Sequence, residues 1–108
     1  MRIRLTITLL TAIVALGPVF NGSGSEAFIS EIVAANNKTL KDEFGETPDW
    51  VELHNPGNTP TNLLGWGLSD ELETPLKWTF PDVSIPPGKF LIVHASGNNI
   101  AEPGKPLH

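Results

Sequence analysis

A chain of 108 residues with no cysteine has room for one small domain and excludes disulfide staples, so it must hold together by packing or by a bound metal. Its formal charge of −5, with no run of lysine or arginine, argues against a surface that tracks nucleic-acid phosphates, because such a surface needs clustered cations.

Arg2 and Arg4 precede an apolar run from Leu5 to Leu16, which breaks at Gly17-Pro18 and leads into the small polar stretch Asn21 to Ser25. This is the layout of a secretory signal peptide. The competing reading is an uncleaved anchor, but Leu5 to Phe20 offers only 16 residues with three threonines, where a span takes about 18 to 20 apolar ones. A leader over residues 1–27 is therefore expected, with small residues for cleavage at Ser25 and Ala27 and with Gly24 as a second cleavage position. The expected product is secreted or held at the cell surface and keeps no membrane span. Beyond residue 27 the chain carries five lysines and eleven acidic residues, a net charge of −6.

Phe28 to Ala35 reads as the first strand, apolar on both faces apart from Glu31, and Asn36-Asn37 ends it. Lys38 to Pro48 is a polar connection with Gly45 and Pro48 as turn-makers. Asp49 to His54 is the clearest alternating strand: Val51 and Leu53 share one face, and Trp50, Glu52 and His54 share the other. Asn55-Pro56-Gly57-Asn58 stops it. Trp66 to Asp70 and Lys77 to Pro81 follow as strands on either side of an acidic hairpin loop, and Val83 to Ile85 is a short fifth strand. Pro87 and Gly88 suit the central positions of a type II turn. Lys89 to Ala95 is apolar on both faces and is expected to lie centrally. Ser96 to His108, rich in glycine, asparagine and proline, reads as a long loop. Short strands separated by turn residues, without a convincing helical period, predict an all-β sandwich or barrel. Alternation places Leu53, Trp66, Trp78, Phe80, Leu91 and Val93 in its core.

Five segments in order resemble one family: Ile29-Ser30-Glu31-Ile32 with Asn36; Asp49 to Asn55; Gly65-Trp66-Gly67-Leu68-Ser69-Asp70; Lys77-Trp78-Thr79-Phe80-Pro81; and Ile85-Pro86-Pro87-Gly88. Together, over residues 28–108, they look like the lamin tail domain in its exported bacterial form. The resemblance implies an immunoglobulin-like β-sandwich. Members usually continue past the equivalent of His108 with further strands, which implies that residues 28–108 are an amino-terminal fragment, truncated at the C-terminal end. No catalytic residues are attributed to the module. Its bacterial relatives look like accessory modules joined to secreted hydrolases, nucleases, kinase-like domains or surface proteins.

The residues give the same non-catalytic picture. His54, His94 and His108 fall in no zinc-ligand spacing, and Ser69, Ser84 and Ser96 in no nucleophile motif. If the first two strands pair, Glu31 and Glu52 share an outer face, where facing like charges need an intervening group. A lysine or water would suffice. The sharper reading is calcium, with Asp42, Glu43, Asp49 and Asp70, together with Glu46, as oxygen donors in adjoining loops; the plainer one is a solvated acidic surface. Trp66 and Trp78 are assigned to the core. Trp50, beside Glu52 on the outer face, is the candidate binding surface. The expected role is a non-catalytic binding or spacing module with a protein or cell-surface polymer as partner and no cofactor other than calcium. The alternative is the accessory part of a secreted metal-dependent hydrolase, nuclease or kinase-like enzyme with its catalytic domain downstream.

Overall fold

The computed structural model describes residues 27–108 and, upstream, the backbone of one three-residue strand. The strands are β1 (Val14–Leu16), β2 (Phe28–Val33), β3 (Asp49–His54), β4 (Thr61–Asn62), β5 (Gly67–Ser69), β6 (Trp78–Thr79), β7 (Ser84–Ile85) and β8 (Phe90–Ala95), and no helix occurs among the described residues. They form one sheet ordered β2-β3-β8, a second ordered β1-β5-β6, and a ribbon of β4 and β7, with every strand pairing antiparallel. The expected first strand is shorter by its last two residues because Ala35 turns into the left-handed region at φ 54°. β4 escaped the sequence reading, since two polar residues carry no period.

Alternation along β3 sorts its side chains as expected: Val51 and Leu53 are 4% and 0% exposed. They meet Val93 of β8 within their own sheet and Leu68, Trp78 and Ile85 from the facing strands. Trp66, Phe80, Leu63 and Leu107 complete the core, and Leu91 packs against it half-buried. Trp78 and Phe80 meet edge to face with ring centroids 4.9 Å apart, an arrangement that adds about 0.5 to 1.5 kcal/mol beyond area burial. Two antiparallel layers over one apolar core make this the immunoglobulin-like sandwich that the resemblance implies. At Pro86 to Lys89 the chain reverses as predicted, with the Lys89 N–H donating to the Pro86 carbonyl at 3.1 Å and Gly88 at φ 69°.

Two expectations change. β3, flanked by β2 and β8, is the central strand of its sheet, and β8 has β3 on one side. The other edge of β8 is partly covered by the tail, which was read as a loop: Val93 forms a parallel bridge with Leu107, and the His94 N–H donates to the Leu107 carbonyl at 2.8 Å. The tail returns because Leu107 and His108, 3% and 2% exposed, gain burial there. Val14–Leu16, inside the segment read as a leader, pairs with Ser69, Leu68 and Gly67. The rest of the expected signal peptide and its cleavage positions up to Glu26 lie outside the described residues.

Asn55 holds the turn after β3 in place. Its side chain is wholly buried. Nδ2 donates to the carbonyls of Thr59 at 2.8 Å and Ile85 at 2.9 Å, and Oδ1 accepts the Gly57 N–H at 3.0 Å. The residue that marks a turn in the sequence thus also ties that turn to β7.

Candidate functional site

The face of β2-β3-β8 turned away from the core carries three rows set by strand register. In the first, Phe28, His54 and Phe90 are direct partners. The rings of His54 and Phe90 stack at 4.2 Å and 10°, and Phe28 meets His54 edge-on at 5.5 Å. Phe28 and Phe90 are 48% and 54% exposed, which makes this an open aromatic ridge.

In the second row a bulge sets Ser30 and Glu31 against Glu52, with Ile92 on the far side of Glu52. Glu31 and Glu52 are register partners, and the Ser30 hydroxyl donates to Glu52 Oε1 at 2.7 Å. The third row is Val33, Trp50 and His94. Here the sequence reading needs correction: Trp50 lies on the outer side of β3 but is only 9% exposed, so it offers no binding ring. His94, its register partner, is covered by the tail, which the loop before β3 helps to fasten.

That fastening is a side-chain chain of three residues. His108 Nδ1 lies 2.6 Å from Ser96 Oγ, and Nε2 lies 2.9 Å from Glu43 Oε2. Ser96 Oγ accepts the Asn98 N–H at 3.1 Å. Its own proton can therefore point to Nδ1, leaving Nε2–H to donate to Glu43. The His108 ring stacks on His94 at 5.0 Å, Phe44 lies against it at 5.8 Å, and the His108 carbonyl accepts the Trp78 Nε1–H at 2.9 Å. Burial pushes His94 below its ordinary pKa and the His108 ring adds to this, while Asp42 and Glu43 pull the other way. Desolvation works to raise the Glu43 carboxyl, but a backbone hydrogen bond and His108 outweigh it and hold it below its ordinary value.

The four calcium candidates have other partners. Asp42 Oδ1 accepts the N–H groups of Phe44 and Glu46 at 3.0 and 2.9 Å, shaping the turn at Gly45. Glu43 holds His108, Asp49 Oδ1 accepts the Asn36 N–H at 2.9 Å, and Asp70 pairs with Lys77 at 2.8 Å. Among the described residues no group of three or more histidine or acidic side chains could hold a metal ion. The loops place these acids on different tasks, which counting donors in the sequence could not reveal.

The family model described as Lamin Tail Domain matches residues 21–106 of the chain. The chain belongs to the lamin tail domain family. No curated protein and no solved structure matches it significantly. The family is one of non-catalytic, immunoglobulin-like domains, and the geometry of this lamin tail domain agrees at a place where a nucleophile could be suspected. Ser96, His108 and Glu43 resemble a hydrolytic triad in composition, yet the His108 side chain is 0% exposed. An imidazole sealed beneath the chain and spanned by a serine and a glutamate joins the tail, β8 and the loop before β3; it has no open side from which to serve a substrate. The clasp was missed in the sequence because its members are 12 and 65 positions apart. Phe28 and Phe90 were missed because alternation in strands apolar on both faces does not say which face stays open.

Proposed function

We propose that this lamin tail domain is a non-catalytic binding or spacing module of an exported or cell-surface protein, acting through the outer face of β2-β3-β8 on a protein or cell-surface polymer. One observation carries the choice of face: two phenylalanines about half exposed stand side by side around His54 on a strand-built surface. Exposed large apolar groups gathered in this way mark interaction surfaces, and strands hold them more rigidly than loops would. The exported setting is supported by Arg2, Arg4 and the apolar run that follows them. The net charge of −6 beyond residue 27 favours a partner other than nucleic acid.

Two measurements test this reading. Intact mass of protein recovered outside the producing cell should show a start between Ser25 and Phe28, and material retaining Met1 or Arg2 would refute export with cleavage. A photo-crosslinking side chain at position 90 in the cell-expressed protein should give discrete adducts, whereas one at Leu72, 80% exposed in the β5–β6 hairpin loop, should not. Equal labelling from both positions, or none from position 90, would remove the outer face as the functional surface.

A further inference from the structure

The proposed docking face has a chemical character that narrows its occupant. The aromatic ridge of Phe28, His54 and Phe90 borders a pair of carboxylates, Glu31 and Glu52, and Ile92 lies beside Glu52 on β8. Glu31 is exposed and Glu52 half-buried. Like charges placed directly opposite destabilise a sheet, and this pair has no cationic relief: among the described residues neither carboxylate takes part in an ion pair. Lys77 and Lys105 are committed elsewhere, to Asp70 and Glu71 and to Glu102. The Ser30 hydroxyl bonds Glu52 without neutralising it and fixes that carboxylate on the outer side. The bulge at Ser30 sets two residues of β2 against Glu52 and so brings Glu31 into register with it.

Resting on the reading of this face as the functional surface, we propose that its occupant is a protein segment carrying arginine or lysine flanked by apolar side chains. The cation lies between Glu31 and Glu52, and the apolar groups cover Phe28, Phe90 and Ile92. Arginine suits the position best, since its planar fork can donate to two carboxylates at once. The two contributions reinforce each other. Apolar flanks that bury the phenylalanines also exclude water from the ion pairs, and a cation removes the repulsion that the free sheet carries.

The test uses the full chain, isotope-labelled for amide resonances, and three synthetic peptides: acetyl-Leu-Arg-Leu-Arg-Leu-amide and its counterparts with glutamate or serine in place of arginine. The arginine peptide should shift resonances along β2, β3 and β8 near Phe28, Glu52 and Phe90 saturably, and more weakly as salt is raised. Glu52→Gln should lose about tenfold in affinity, the worth of one charge-assisted bond, and Glu31→Gln serves as a second variant. Either substitution should leave the melting midpoint of the free protein unchanged or raise it, which separates lost binding from lost fold. If all three peptides shift the same residues equally, the face still docks segments and the cation requirement is wrong. If none shifts them, the functional reading of the face fails as well. Unchanged affinity in both glutamine variants would also overturn the proposal.

Discussion

Replacing Asn55 by alanine should destabilise the domain by about 2 to 5 kcal/mol, although the residue touches no ligand surface. The magnitude follows from its three partners. The bond to the Ile85 carbonyl is buried, and stranding such an acceptor costs about 1 to 3 kcal/mol. The bonds to the Thr59 carbonyl and the Gly57 N–H are part-buried, so water can replace them and each loss is nearer the net value of about 0.5 to 1 kcal/mol. Asn55→Asp makes the sharper comparison. It keeps an acceptor for Gly57 but turns the donating nitrogen into an oxygen facing two carbonyl oxygens in a site with no accessible surface. Aspartate should therefore be no better than alanine at neutral pH, and its deficit relative to alanine should shrink in acid as the carboxyl gains a proton to donate. Urea titration followed by tryptophan fluorescence measures both variants. A loss below about 0.5 kcal/mol for alanine, or an aspartate variant as stable as the parent, would refute the assignment of Asn55 as the tie between the turn and β7.

His94 should make stability fall as the solution is acidified. Its folded pKa lies below its ordinary value, so an unfolded chain takes up the proton first, near pH 6.5; the stabilisation is complete above that pH and declines below it until the folded ring is protonated too. The readout is the difference in urea midpoints between parent and His94→Gln from pH 7.5 to 5.5, which cancels whatever the two proteins share, and parallel curves would refute the expectation. Gly67→Ala should cost about 1 to 3 kcal/mol, because a Cβ there would lie 2.8 Å from the Pro75 carbonyl oxygen and 3.0 Å from Leu76 Cα, both backbone atoms that cannot swing aside. A variant that melts with the parent would show that the 75–76 segment yields freely.

The sequence by itself determined what depends on neighbours along the chain. Alternation over Asp49 to His54 sets which side chains of β3 face inward, because successive residues of a strand must point to opposite faces. Pro87-Gly88 sets a turn through the dihedral limits of those two residues, and the ordered tryptophan, glycine and proline segments suffice to identify a lamin tail domain. Tertiary structure decided everything that depends on which face is covered. Trp50 and Phe90 both lie on the outer side of their sheet, yet Trp50 is 9% exposed and Phe90 54%. Trp50 has as its register partner His94, on which the His108 ring stacks, whereas Phe90 lies at the other end of β8; Ser96, His108 and Glu43, which hold the tail there, meet only once the chain has folded. The acids show the same division. Composition counts eleven of them beyond residue 27, whereas loop geometry assigns Asp42 to a turn, Asp49 to Asn36 and Asp70 to Lys77. Glu31 and Glu52 are left facing each other because a bulge at Ser30 shifts the register, and strand register is fixed between segments far apart in the chain.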